Sequence, residues 1–317
     1  MNRLKRKTVA IRFLLFFAWG VLAFETAAFG ETDNPGFSFL KFGMGARAVG
    51  MGEAFVAQSG EVTSAWWNPA GLSGIGGAHL SFTHNQWFQD ITTEYFASAI
   101  NLKGQTNVLG LTVGLSRVPD IEKRGEVASS EPVALFDAHD VLFGLSYARR
   151  IIEKLDLGIT AKWLYEKIDI YSASGFGFDL GAIYAPWEDL KFGLAAVNLG
   201  QKIKFESERF SLPTSYKVGG MYFVEKKDLN TDFTIGLDLV KPRDDEIKIH
   251  LGGEVGLYQA LKTRLGYQGG YDEKAFSFGL GTSFRKHGIE YNLDYGYLPY
   301  ESDLGNVHSV SLNLKIE

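Results

Sequence analysis

The sequence predicts an all-β fold, a membrane-spanning antiparallel barrel of about fourteen strands. Three observations predict the barrel. From about residue 77 onward, segments of roughly ten residues alternate apolar with small or polar side chains, which suits strands with one face toward lipid and the other toward a lumen. Leu109, Leu111, Val113 and Leu115 alternate with Gly110, Thr112 and Gly114, and Phe176, Phe178 and Leu180 with Gly177, Asp179 and Gly181. The period is two, not 3.6, which is the spacing of a strand. The connections also alternate in length, as in barrels with short periplasmic turns and longer outer loops.

At the start of the chain, Arg3, Lys5, Arg6 and Lys7 precede an apolar run from Phe13 to Phe24, and Ala28-Phe29-Gly30 supplies small residues. This is the composition of a cleaved export signal over residues 1–30, with Glu31 as the first mature residue. The run is shorter than the roughly twenty apolar residues of a transmembrane helix.

Residues 31–77 break the alternation. Six small residues between Gly43 and Gly52 permit close backbone approach, and Asn68-Pro69 marks a turn. The segment reads as a compact insert, not a strand, ahead of the barrel of residues 78–317.

Strand cores follow at 78–85, 93–101, 106–117, 138–149, 155–168, 174–185 and 190–199, then at 212–224, 230–240, 246–256, 260–268, 274–285, 288–297 and 307–316. Long links fall after the first, third, seventh and thirteenth strands, notably Arg117 to Asp137 and Gly200 to Ser211. An even count puts both ends of the barrel on one side, and long loops lie outside if that side is periplasmic. Aromatic candidates for the interfacial girdles are Trp87-Phe88, Tyr95-Phe96, Trp163 with Tyr165, Tyr222-Phe223, and Tyr295 with Tyr297 and Tyr300.

Composition narrows the function. The 317 residues include 37 Gly, 24 Phe, 14 Tyr and no Cys, which leaves no disulfide framework, thiolate metal site or Cys nucleophile. Loss of residues 1–30 removes five basic side chains and one acidic one, so the net charge falls from −5 to about −9. An acidic chain lacks the basic footprint of a nucleic-acid binder.

Motif chemistry points the same way. The glycines at 43, 45, 50 and 52 do not have dinucleotide-fingerprint spacing. Gly144-Leu145-Ser146-Tyr147-Ala148 lacks the last glycine of a nucleophile elbow. The acidic runs Arg243-Asp244-Asp245-Glu246 and Tyr271-Asp272-Glu273-Lys274 do not follow EF-hand spacing and read as solvated loops. The expectation is a protein that binds and gates, with no enzyme activity, cofactor or metal.

The run Gly43-Met44-Gly45-Ala46-Arg47-Ala48-Val49-Gly50-Met51-Gly52-Glu53-Ala54-Phe55-Val56-Ala57, followed by Trp67-Asn68-Pro69-Ala70-Gly71-Leu72, resembles the N-terminal signature of the PorV/PorQ family of FadL-like outer-membrane barrels. The likeness extends through Tyr171 to Phe176, Asn198-Leu199-Gly200 and Leu237 to Pro242. It implies a fourteen-stranded barrel in the bacterial outer membrane, in contact with its lipid, whose lumen is plugged by an N-terminal hatch of residues 31–77 with Asn68, Pro69 and Ala70 at the plug.

It also implies one of two jobs. PorV-like members serve type IX secretion, receiving exported proteins by their C-terminal signal domains and presenting them to a surface sortase, and this is the first reading. FadL-like members carry hydrophobic small molecules, and this is the alternative. The motifs do not separate them.

A hatch needs reversible polar contacts. Arg47 and Glu53 are the charged residues placed to make them, either with lumen-facing groups such as Asp179 or with local partners. Trp66 and Trp67 either line a hydrophobic ligand path or pack against the wall. Val133, Leu135 and Phe136 in the third loop, and Ile203, Phe205 and Phe210 in the seventh, either form a docking patch or extend the strands. The terminal alternation Val310, Leu312, Leu314, Ile316 lacks the closing aromatic found in many outer-membrane barrels.

Overall fold

A computed structural model describes residues 35–102, 106–125, 130–258, 260–301 and 304–316. The export signal and residues 31–34 of the N-terminal segment lie outside the described residues. Fourteen antiparallel strands close on themselves, the first pairing with the last.

The first seven are β1 (Ala78–Gln86), β2 (Thr92–Asn101), β3 (Asn107–Lys123), β4 (Ala134–Ile152), β5 (Leu155–Ile168), β6 (Tyr171–Trp187) and β7 (Leu190–Gly200). A separate two-stranded hairpin of β8 (Ile203–Phe205) and β9 (Glu208–Phe210) follows. The barrel resumes with β10 (Ser215–Lys226), β11 (Thr231–Pro242), β12 (Lys248–Leu257), β13 (Leu261–Gly269), β14 (Phe276–Lys286), β15 (Ile289–Pro299) and β16 (Asn306–Ile316).

The alternation read from sequence is the alternation of wall faces. On β3, Val108, Gly110, Thr112 and Gly114 point inward and are buried, while Leu109, Leu111 and Leu115 point out and are exposed. Leu145, Phe176 and Ile235 are 67%, 67% and 61% exposed on the outside. So much bare aliphatic surface around a closed wall is satisfied by lipid, not water.

Turns at one rim are short, with two residues between β4 and β5, β6 and β7, and β14 and β15. The other rim carries the hairpin and, apart from the two-residue β5–β6 turn, the longer links. These are called the short-turn and long-loop rims.

Two sequence expectations change. The predicted loop from Arg117 to Asp137 is mostly strand, because Ile121, Glu122 and Lys123 pair with Phe136, Leu135 and Ala134 beyond a bulge after Val118. Polar side chains at this height made the strand extensions read as loop. The girdle assignment also fails at two positions. Trp87 is buried and stacks on Phe42 at 4.2 Å, and Tyr95 is buried edge-on to Trp66 at 5.5 Å. Trp163 and Tyr165 do stack on each other, alongside Phe143.

Residues 35–77 occupy the lumen without adding a strand. They form short helical turns at Ser38–Lys41, Ala46–Gly50, Ser64–Trp67 and Pro69–Gly74. The Gly36 amide donates to the Ser211 carbonyl near the long-loop rim, and the Ile75 carbonyl accepts from Asn101 near the short-turn rim. The chain therefore crosses the lumen from one rim to the other before entering β1.

Candidate functional site

Contacts between this segment and the wall begin with backbone. A Cβ on Gly50 would stand 2.8 Å from the Cα of Gly279 on β14, and one on Gly52 would stand 2.7 Å from the Leu251 carbonyl oxygen. Gly181 and Gly158 back onto Asn68 and Pro69 in the same manner, and Gly193 onto Val56. Inward glycines thus let the segment reach the wall at separations that a side chain would prevent.

Polar clasps hold this fit. Asp238 on β11 accepts the Phe55 and Val56 amides at 2.6 and 2.9 Å. Ser311 and Ser277 accept the Ala46 and Gly52 amides at 2.8 and 3.0 Å. The Ala46, Phe55 and Val56 amides sit at helix ends or in turns, where burial demands a partner, and the Gly52 amide is shared with the Val49 carbonyl at 3.1 Å.

Asn68 is completely buried and joins three pieces of chain. Its Nδ2 donates to the Val56 carbonyl at 2.8 Å and to the Ala182 carbonyl on β6 at 3.2 Å, and its Oδ1 accepts the Ala70 amide at 3.1 Å. Pro69 follows as the first residue of the next helical turn, where its missing N–H costs nothing. Ala70 is fully buried, and its amide nitrogen lies against the Gly158 and Gly181 positions.

Arg47 is the centre of a charged network. Its guanidinium is bidentate to Glu254 on β12, with Nε to Oε2 at 2.9 Å and Nη2 to Oε1 at 2.7 Å, and its Nη1 donates to Glu61 at 2.7 Å. Arg264 on β13 reinforces Glu254 at 2.5 Å and reaches over β14 to Asp294 on β15 at 2.8 Å. It can do so because Gly279 and Gly281 leave the inner face of β14 bare. Burial alone would raise the Glu61 carboxyl, but the charge and hydrogen bond of Arg47 outweigh it and hold the group below the ordinary range. Glu254 is a partner that the sequence reading missed, although its parity with His250 and Gly252 marks it as inward.

Asp179 is engaged elsewhere. It is fully buried beside a register shift of β6 against β7, accepts the Asn198 amide at 2.8 Å, and pairs with Lys162 at 2.7 Å. Glu53 meets Lys274 loosely, at 3.7 Å. Burial raises its carboxyl, yet the surrounding basic groups, Lys274 first and then His250 and Lys217, together with Gln268, prevail and the net direction is downward. Glu53 itself stands at φ 62, with its side chain folded against Gly43.

The segment stands between two cavities. One, of about 840 Å³, opens at the short-turn rim and is lined by Arg47, Gln58, Ser59, Lys191, Glu254 and Lys262 among others. The second, of about 130 Å³, lies toward the long-loop rim and is lined by Leu40, Phe42, Trp66, Trp67 and Lys217 with wall residues of β10 to β12. Trp66 and Trp67 thus do two things at once: each packs closely, Trp67 with its Nε1 donating to the Met44 carbonyl at 3.1 Å, and each presents an edge to this cavity.

The architecture has close counterparts among solved structures. The toluene transporter TodX of Pseudomonas putida superposes with a TM-score of 0.59 at 10% identity, over 86% of this chain and 96% of that one. The fold is FadL-like. The toluene transporter TbuX of Ralstonia pickettii gives 0.55 at 13% identity, over 87% and 99% of the two chains. A FadL homologue of Pseudomonas aeruginosa gives 0.54 at 12% identity, over 86% and 98%. At these identities it is the fold that is shared. No family model matches the chain, and no curated protein matches it.

Proposed function

We propose that the protein is an outer-membrane channel for the uptake of hydrophobic small molecules, with residues 31–77 as its hatch and residues 78–317 as its barrel. The observation that carries this reading is the N-terminal segment standing across a closed wall, between one cavity at each rim. The solved neighbours that share the fold include toluene transporters, which favours a hydrophobic cargo. The first reading from sequence, a secretion component, gains no support from those neighbours.

In this reading the long-loop rim faces the outside and the ligand enters by the cavity above Trp66 and Trp67. The Arg47–Glu254 pair, Glu53, and the Asn68-Pro69-Ala70 turn hold the hatch shut. Every clasp is a hydrogen bond or ion pair, so it can be broken and remade without refolding the wall. A charged, water-filled cavity below keeps the far side of the hatch hydrated.

The test is uptake of toluene into proteoliposomes by the whole protein and by a variant lacking residues 36–74, with conductance recorded in planar bilayers. Toluene should enter above the bilayer background, and deletion should sharply raise conductance. Background uptake by both proteins would sink the channel reading, and unchanged conductance would sink the hatch.

One observation favours a second reading. Val133 and Leu135, at the tip of the β3–β4 extension, are 70% and 57% exposed, and paired exposed aliphatics well above the lipid band suit docking of an exported protein or a sortase. Gentle extraction followed by native mass spectrometry would reveal such a protein partner; a bound hydrophobe with no protein partner would count against it.

A further inference from the structure

Buried acids on the inner face of the wall are matched where they hold the lumenal segment or each other's strands. Glu254 meets Arg47, Asp294 meets Arg264, Asp179 meets Lys162, and Asp238 takes two backbone amides. Asp140 on β4 and Glu166 on β5 differ. They oppose each other directly across the two strands, both half-buried, on the inner face they share with the buried Leu142 and Leu164. Their carboxyls lie within hydrogen-bonding reach of each other, Glu166 also accepts the Phe37 amide, and no basic side chain among the described residues offers either one an opposing charge.

A third oxygen stands on the far side of Asp140. Ser116 on β3 is the cross-strand partner of Asp140 and is 4% exposed, and its hydroxyl has no partner among the described residues. Thr93, its neighbour on β2, is taken by Asn85 and Trp87. Directly opposed side chains on one face stand about 4.5–5.5 Å apart at Cβ, so one row of the wall presents a hydroxyl and two carboxyls to the same space.

Two carboxylates in contact do not both stay ionised without a counter-charge. A divalent cation answers both charges and takes the hydroxyl oxygen as a further ligand. The donors are all oxygen, with no nitrogen or sulfur, which is the set that calcium and magnesium prefer. Magnesium demands a near-ideal octahedron, whereas calcium accepts irregular and bidentate carboxylates, and donors fixed by strand register suit the second. Among the described residues no third His, Cys, Asp or Glu joins the pair, so water completes the shell. Glu166 lies two residues before the end of β5 at the long-loop rim, within reach of solvent ions.

We propose that Asp140, Glu166 and Ser116 bind one calcium ion, which fastens the start of the lumenal segment to the wall through the contact of Glu166 with Phe37. The inference is independent of what the barrel carries. Sequence alone predicts no metal here, because the three oxygens sit on three strands and form no motif.

The experiment is calorimetric titration of calcium chloride into the refolded full-length protein in detergent, free of lipopolysaccharide, with magnesium chloride for comparison and thermal unfolding alongside. One equivalent of calcium should bind with a Kd of ~10⁻⁴–10⁻³ M, the range of extracellular calcium modules, and more tightly than magnesium. Asp140→Asn with Glu166→Gln should abolish this heat, and Ser116→Ala should weaken binding several-fold. Asp272→Asn with Glu273→Gln, on an exposed loop of the same rim, should leave it intact. Added calcium should raise the unfolding temperature of the unmodified protein and not that of the Asp140–Glu166 double variant, whose cooperative unfolding shows that it is folded. Equal binding of magnesium, an undiminished heat in that double variant, or no heat from the unmodified protein overturns the inference; in the last case a proton shared by the two carboxyls accounts for their contact.

Discussion

Arg47 and Glu254 face each other through two parallel hydrogen bonds, across 207 residues of sequence. The first lies on a five-residue helix in the lumen and the second on the wall. Because Arg264 also serves Glu254, the wall carboxylate keeps a partner without Arg47, whereas Glu61 loses its hydrogen-bonded cation.

Arg47→Met should therefore loosen the segment and spare the barrel. Breaking a buried pair by removing one partner costs about 3–5 kcal/mol, which raises the open fraction ~10²–10⁴-fold. The expected result is a large gain in single-channel open time, with an unchanged strand signal in far-ultraviolet circular dichroism. Adding Glu61→Gln should restore part of the closure, since the orphaned charge is then gone. Equal open times for Arg47→Met and the unmodified protein would show that the pair holds nothing.

The pH response follows from the same group. Glu61 is held below the ordinary carboxylate range in the folded protein, so the stability it contributes is complete above its unfolded value and lost as pH falls through the depressed one. With an unperturbed Glu near ~4.3, conductance should stay flat from about pH 8 to about pH 5 and rise only below about pH 4. A bilayer recording that opens between pH 5 and pH 7 would point to another group as the lock.

Much of this arrangement was legible in the sequence, for physical reasons. Period-two alternation with glycine on one face marks a wall whose interior meets another backbone, and Asn68-Pro69 marks a turn wherever it falls. Two kinds of information were not legible. Above the lipid the wall loses its apolar face, so Arg117 to Lys123 looks like loop although it pairs with β4. Long-range partners are equally hidden: parity narrows Arg47 to inward acids, and both Asp179 and Glu254 qualify. Only the fold shows that Lys162 already occupies Asp179. Parity also decides Tyr95, which shares the inward face with Thr93 and Ala97, while Phe96 points out to Phe82.

Asn68 offers a test of the turn at single-group resolution. Asn68→Ala leaves the Val56 and Ala182 carbonyls without its donor and the Ala70 amide without its acceptor, at about 1–3 kcal/mol for each buried group left unsatisfied. Asn68→Asp keeps an acceptor for Ala70 but sets a carboxylate against two carbonyl oxygens. Hydrogen exchange at the Ala70 amide should therefore accelerate more in the Ala variant than in the Asp variant, while both raise conductance. Matching exchange rates in all three proteins would mean that the side chain does not cap this turn.

The glycine interlock sets the last expectation. At Gly279 a Cβ would lie 3.0 Å from the Gly50 Cα and 3.1 Å from the Arg264 side chain, so even alanine makes the helix Ala46–Gly50 or Arg264 give by a few tenths of an ångström. Gly279→Val would do both, since two methyl groups enter a space with no slack. The wall would lose little, because valine suits a strand, and the loss would fall on the lumenal segment. The variant should assemble, keep its heat-resistant barrel mobility on gels, and conduct more than the parent, with protease reaching residues 44–52 from the short-turn rim. A variant with tight closure and full protection would show that the segment does not depend on close approach at β14, and the Arg47 network would then have to hold it alone.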